Sequence, residues 1–261
     1  MNNETLKLIL YWSGLLLFLL IELSFSYRAS RYSKIRRWLA NIPISIISGV
    51  MYYMLYAGLL ASVFTLIETD KLGMLNNLGL SFGWRVFFGI LLLDFVIYVW
   101  HLLNHEMPLL WRFHRVHHCD LYMDVSTAVR FHPGEILLSG LVRLMVIYSF
   151  GIPLFAYVLF EVLVNIAIQF HHSSIKINPA FENLWQLLFV PPSMHRIHHS
   201  VKIKERDSNY GVIFSLWDRF IGTLTTGIDQ KGIVTGIGSH RKFEKLGLKD
   251  LLLMPFTKKS L

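Results

Sequence analysis

The chain contains His101-Leu-Leu-Asn-His105, His114-Arg-Val-His117-His118, His132-Pro133, His171-His172 and His195-Arg-Ile-His198-His199. Eleven of its twelve histidines fall in these clusters, and only His240 lies apart. Residues three and four apart on a helix share a face. HxxxH and HxxHH therefore each aim two or three imidazoles in one direction, and imidazole is the commonest side-chain metal ligand. In each HxxHH the outer pair, His114 with His118 and His195 with His199, can chelate one ion from adjacent turns. The inner histidine, His117 or His198, is rotated by about 100° from the last and reaches toward a second ion. Two such motifs beside an HxxxH are the layout for two metals in a ring of imidazoles.

The other residue types narrow the chemistry. All-nitrogen sites suit zinc, copper, iron or nickel. A structural zinc needs only four ligands, and far more are present, so two ions is the economical count. Glu106, Asp120 and Asp124 lie near the clusters but out of helical phase with the histidines. No Glu-x-x-His pair of a carboxylate-bridged di-iron bundle is found. The single cysteine, Cys119, excludes a disulfide within the chain and reads as a small filler in a reducing compartment. Asp94 stands seven residues before His101 on roughly the same face. It is expected to accept a hydrogen bond from a ligating imidazole, with a helix contact as the plain alternative. His132 precedes a proline and reads either as a ligand or as a helix cap. Of His171 and His172, about 100° apart, one is expected to ligate. Ser193, after Pro191-Pro192, is expected to cap the helix that carries His195 to His199. His240 is given no role. Two redox-active metals activate O2 against a C–H bond. The alternatives are a membrane zinc-dependent hydrolase, for which no HExxH is present, and a non-catalytic metal carrier or bis-histidine haem protein.

The elements that position these residues are apolar. Apolar residues make up 54% of the chain and charged residues 16%, and the mean hydropathy is +0.47. A soluble domain carries about a quarter charged residues. The apolar residues form runs at 6–26, 42–67, 84–103 and 135–170, and crossing a bilayer takes about 20. The first run is followed by basic residues and no cleavage site, so it reads as a retained span. Phe150-Gly151-Ile152-Pro153 splits the last run into a hairpin, whose first arm, Glu135 to Tyr148, is short for a span. The net charge of +8 is placed rather than spread: Arg28, Arg31, Lys34, Arg36 and Arg37 share one loop without an acid. The positive-inside rule puts that loop in the cytoplasm. Counting spans from there brings every histidine cluster to the same side. No soluble nucleic-acid recognition module is visible, so the basic charge is read as membrane-related and no nucleic acid is expected.

The order and spacing of HLLNH, HRVHH, RFHP, QFHHSS and MHRIHHS, followed by Asn209-Tyr210-Gly211 and Leu216-Trp217-Asp218, resemble the fatty acid hydroxylase/sterol desaturase superfamily. The resemblance runs from about Asp94 to Thr226. It implies an integral-membrane centre of two iron ions, with zinc possible as a substituted metal, and O2 as co-substrate. It also implies electrons from a separate cytochrome b5- or ferredoxin-like donor, and hydroxylation or desaturation of a lipid such as a sterol or fatty acyl chain. His101 and His105 match the first histidine box, His114, His117 and His118 the second, and His195, His198 and His199 the third. His172 matches a histidine usually followed by Ser/Ala-Asn. Here Ser173-Ser174 follows, which leaves His171 and His172 both open. His132 matches a motif present in part of the family. The Asn-Tyr-Gly and Trp-Asp stretches are read as packing the cap.

The expected fold is an all-α integral membrane protein with a cytoplasmic helical cap. Residues 1–83 form an N-terminal transmembrane region, 84–226 the catalytic core and 227–261 a basic C-terminal tail, of which Arg241 to Leu261 lies on the membrane surface or is loosely ordered. The expected location is a bacterial inner membrane with the site and C-terminus cytoplasmic, or the endoplasmic reticulum in a eukaryote, where Lys258-Lys259 would resemble a retrieval signal. No electron-transfer module is expected within the chain. Arg112, Arg115, Arg196, Lys202 and Lys204 are read as a basic face for an acidic electron carrier.

Overall fold

The computed structural model describes residues 3–257; Lys258 and Lys259 lie outside them. The described residues form twelve α-helices and no strand, only isolated bridges. The long helices are α1 (Asn3–Ser24), α2 (Lys34–Thr69), α4 (Phe82–Glu106), α6 (Pro133–Phe150) and α7 (Leu154–His172). The short ones are α3 (Met74–Asn77), α5 (Pro108–His118), α8 (Pro179–Trp185), α9 (Pro192–His198), α10 (Ile203–Arg206), α11 (Leu216–Ile221) and α12 (Leu248–Leu253). Helices α2, α4, α6 and α7 are long and apolar enough to cross a membrane, and α1 adds the shorter apolar stretch Leu8–Ser24. Their outward faces carry bare apolar side chains such as Met54, 79% exposed, with Tyr53, Leu55, Leu16 and Leu17. Water does not tolerate contiguous apolar surface on this scale; lipid does.

The bundle packs α2 along α6, α1 along α7, and α4 along α7 and α5. Gly140 lets α6 approach α2, because a Cβ there would lie 2.7 Å from the rings of Tyr52 and Tyr56. The hairpin between α6 and α7 turns at Gly151, whose φ of 66° is the left-handed conformation that ends a helix. The α6 arm has 18 residues, not the shorter stretch read from the sequence. At helical rise that is about 27 Å, enough to span most of a hydrocarbon core.

All the short helices except α3 gather at the other end of the bundle, where α4 and α7 finish. A buried ionic network fastens them. Arg37, on the first turns of α2, donates Nε to Asp120 Oδ1 at 2.8 Å, Nη2 to Asp120 Oδ2 at 2.7 Å and Nη1 to Asp124 Oδ2 at 2.6 Å. Asp124 also caps the 3₁₀ turn at Val125–Val129, and Arg130 reaches Asn41 Oδ1 at 3.0 Å. Glu22, from α1, accepts the N–H groups of Val125 and Ser174 and the ammonium of Lys34.

The network draws in two of the five bases of the basic loop. Arg37 is a buried anchor and Lys34 is paired, so Arg31 and Arg36 are its exposed charges. The tail differs from expectation. Leu246, Leu251 and Met254 are buried against Trp111, Val116 and Ala40, so the segment through α12 is part of the core.

Burial alone would raise the Asp120 carboxyl; the Arg37 and Arg130 guanidiniums outweigh it and hold its pKa at about 2. Its stabilisation is therefore full above the unfolded value near 4 and is lost as pH falls through about 2. Arg37→Ala strands two buried carboxylates and is expected to cost about 3–5 kcal/mol, read as a lower unfolding midpoint in detergent. In wild type the midpoint should hold down to about pH 4 and drop below it; Asp120→Asn should flatten that drop.

Candidate metal centre

Four segments bring the imidazoles together. Helix α4 supplies His101 and His105, α5 supplies His114, His117 and His118, α7 ends on His171 and His172, and α9 with the residue after it supplies His195, His198 and His199. Nine of them form two groups. His101, His105, His114, His118 and His198 make one; His117, His172, His195 and His199 make the other; each group has one ring nitrogen per residue within 4.8 Å of all the rest. The split follows helical phase. His117 and His198, the inner members of the two HxxHH motifs, cross to the group opposite their neighbours.

The ring nitrogens are sorted by their outer partners. His101 Nδ1 faces the Tyr210 carbonyl at 2.9 Å, and His198 Nδ1 the Ser208 carbonyl at 2.7 Å. His172 Nδ1 faces the Ile168 carbonyl at 2.7 Å, His114 Nδ1 Glu135 Oε1 at 2.8 Å and His105 Nδ1 Asp207 Oδ1 at 3.1 Å. A carbonyl or carboxylate only accepts, so each of these imidazoles carries its proton on Nδ1. Each Nε2 is then a bare lone pair pointing inward. The Nε2 atoms of the two groups meet at close range. His172 Nε2 lies 3.0 Å from His117 Nε2, 2.9 Å from His195 Nε2 and 3.2 Å from His199 Nε2. In the other group His118 Nε2 lies 3.1 Å from His114 Nε2 and 3.2 Å from His105 Nε2. The Nε2 atoms of His101 and His198 are buried without any protein partner.

Protonation does not relieve this crowding. Burial first, then neighbouring imidazolium charge, pushes His117, His118, His195 and His199 well below the ordinary histidine range. His117, His118 and His195 have no acceptor on Nδ1, so an Nε2–H on such a ring or a cation among the rings satisfies these contacts. Metal–imidazole bonds of about 2.0–2.1 Å place adjacent ligands about 3 Å apart. The donor set therefore fits two metal ions, with no sulfur or ligating carboxylate in either group.

The family profile for fatty acid hydroxylases matches residues 86–223, just over half of the chain. The chain belongs to the fatty acid hydroxylase family. Among curated relatives it is 29% identical over 177 residues to the ornithine lipid hydroxylase of Rhizobium tropici, covering 68% of this chain and 52% of that protein. It is 31% identical over 143 residues to the alkylglycerol monooxygenase of Caenorhabditis elegans, covering 54% of this chain and 27% of the relative. Human cholesterol 25-hydroxylase is 28% identical over 146 residues, 54% of this chain and 52% of the enzyme. The chain thus spans about half the length, or less, of these relatives. No solved structure matches it.

Four readings of this site are decided by the contacts. Asp94 touches no imidazole: it accepts from Trp217 Nε1 at 2.7 Å and from the backbone of Ile213 and Phe214. It fixes the loop whose Tyr210 carbonyl holds His101. His132 is outside both groups. Its Nδ1 accepts the Gly134 N–H as the N-cap of α6, and its Nε2 faces the Leu252 carbonyl, so both nitrogens are in use. His171 is also outside: its ring stands 4.0 Å from that of His195, while His172 is in the second group. Ser193 is not the cap of α9 either. The helix starts at Pro192, and the Ser193 N–H goes to Glu182 Oε1.

The sequence reading missed the outer partners Glu135, Asp207, Ser208 and Tyr210. A signal existed in the Asn-Tyr-Gly stretch. Asn209 adopts φ 57°, unusual for a residue other than glycine, and its side chain ties Met194 and Thr225. That kink turns the carbonyls on either side of it, those of Ser208 and Tyr210, onto two histidines.

Substitutions separate the two shells. His117→Ala or His198→Ala is expected to lower bound metal and abolish turnover, and His240→Ala to do neither, by elemental analysis of purified protein. Glu135→Gln is expected to weaken metal retention about 10–100-fold against a chelator, with the bundle still folded by circular dichroism.

Proposed function

We propose that this protein is a membrane-bound, O2-dependent di-iron oxidoreductase that hydroxylates or desaturates a lipid at a C–H bond. The observation that carries this reading is the convergence of nine imidazoles into two all-nitrogen groups at one end of a bundle of apolar helices. The named activities of the relatives, each acting on a lipid, agree with it. Iron held by the two groups would supply the redox chemistry that joins O2 to a C–H bond. Hydroxylation balances as lipid-H, O2, two electrons and two protons giving lipid-OH and water. Desaturation uses the same O2 and electrons and yields two waters.

The roles of the residues follow from their contacts. The inner ring nitrogens of the two groups would hold the metals. The acceptors on Nδ1 fix the tautomer of His101, His105, His114, His172 and His198, so these rings are oriented before a metal arrives. Burial of the whole set keeps bulk water from reactive oxygen. Apolar helices lead a lipid to the site from the bilayer. Hydrolysis by zinc would require a carboxylate base beside the metal, and Glu135 and Asp207 are already engaged with His114 and His105.

The two electrons come from a separate cytochrome b5- or ferredoxin-like donor. The basic face expected for it is smaller than the sequence indicated. Arg115 and Arg196 are buried, and Arg112, Lys202 and Lys204 remain exposed. We place this face in the cytoplasm of a bacterial inner membrane, since Arg31 and Arg36 lie at the same end. Reporters fused at His240 and at Asn76 should then read inside and outside, respectively.

Turnover in lipid with a ferredoxin or cytochrome b5 system is expected to require O2 and reductant together, and hydroxyl product should carry ¹⁸O from O2. Product formed under argon, or labelled from water, would replace this reading with a hydrolytic or hydratase one.

A further inference from the structure

The metal groups use only one side of α9. On its other side lies a cleft of about 480 Å³, walled by Met194 and Arg196 of α9, Glu182 and Asn183 of α8, Tyr27 and Gln230. Arg196 is 4% exposed, yet no carboxylate pairs with it among the described residues. Its Nη1 donates to Gln230 Oε1 at 2.7 Å and its guanidinium stands 4.0 Å over the Tyr27 ring. The remaining guanidinium donors have no protein acceptor among the described residues. A buried charge normally holds an opposite one, as Arg37 and Arg143 do here with Asp120 and Glu161. Arginine with free donors is the preferred partner of phosphate and carboxylate. Glu182 lines the same cleft, with one oxygen committed to the Ser193 N–H.

The surroundings identify the source of the ligand. Tyr27 follows α1 and Ile175 follows α7, and Ser26 and Ile175 join by a bridge, so the cleft sits where two apolar helices end. Its α8 rim carries bare Phe181 and Leu184, 50% and 69% exposed. A polar pocket with one cation and one carboxylate, edged by apolar surface at a membrane end, matches an amphiphile whose head bears both charges.

We infer that this cleft binds the headgroup of a zwitterionic lipid, with its anionic group on Arg196 and its amine toward Glu182. That this lipid class supplies the substrate rests on the lipid-oxidising function proposed above; the binding itself does not.

The test is native mass spectrometry of the purified full-length protein in detergent, titrated with phosphatidylethanolamine, phosphatidylglycerol or diacylglycerol, and separately with inorganic phosphate. Phosphatidylethanolamine is expected to bind at least tenfold tighter than diacylglycerol, and phosphate not to displace it. Arg196→Gln should lose that tenfold. Asn183→Trp, at an exposed wall position, should do the same by filling the cleft, and it decides the matter if the arginine variant does not fold. Glu182→Gln should shift preference toward phosphatidylglycerol. Metal content, measured on the same samples, should not change in Asn183→Trp. Equal binding of diacylglycerol, displacement by phosphate, or wild-type binding by Asn183→Trp would each overturn the inference. Lipid binding without oxidation would leave it standing and remove the oxidative reading instead.

Discussion

Nine imidazoles with their inner ring nitrogens gathered into two groups make a donor set that could hold metal ions. Protonation is disfavoured at His117, His118, His195 and His199, which are buried among other imidazoles. Much of the structure serves to hold the geometry of this donor set. Separations near 3 Å between Nε2 atoms recur in both groups, and one ring of each pair, His114 or His172, is held by an acceptor behind it.

Those acceptors explain the layers around the centre. Asn209, in its left-handed conformation, turns two carbonyls inward, while Asp218 and Asp94 accept from the backbone amides that follow that turn. Trp217 contributes through its hydrogen bond to Asp94. Beneath the second group, the ring of Phe131 stacks on His117 at 4.3 Å. The loop that bears Phe131 is held by Arg37 and Glu22, which reach it from α2 and α1. The N-terminal helices thus support the centre without contributing a ligand. Buried ion pairs of this kind add little net stability but make a single arrangement obligatory once formed.

The apolar helices limit where all this can happen. Irregular backbone is excluded from the lipid-facing hydrocarbon region. The loops that carry Asn209, Asp207 and Asp124 must therefore gather beyond the helix ends, where the histidines of α4 and α7 also arrive. One end of the bundle holds the ligands, their acceptors and the cleft behind α9. The other holds the tight turn at Gly151.

The amino-acid sequence alone determined the helical class, the hairpin at Gly151, the histidine clusters and the crossing of His117 and His198. These follow from local periodicity, because 3.6 residues per turn fixes which neighbours share a face. Tertiary structure decided the rest. Arg37, Arg115 and Arg196 look like surface charges in a basic chain, and each is buried by contacts made far away in sequence, Arg37 with Asp120 and Arg115 with Met254. Asp94 has the helical phase of a histidine partner, yet Trp217 and two backbone amides claim it first. His132 carries the same imidazole as the nine, but its nitrogens are taken by Gly134 and Leu252. Residue type states what a group can bind. Which partner reaches it depends on distances between segments far apart in the chain, and those are set only when the bundle closes.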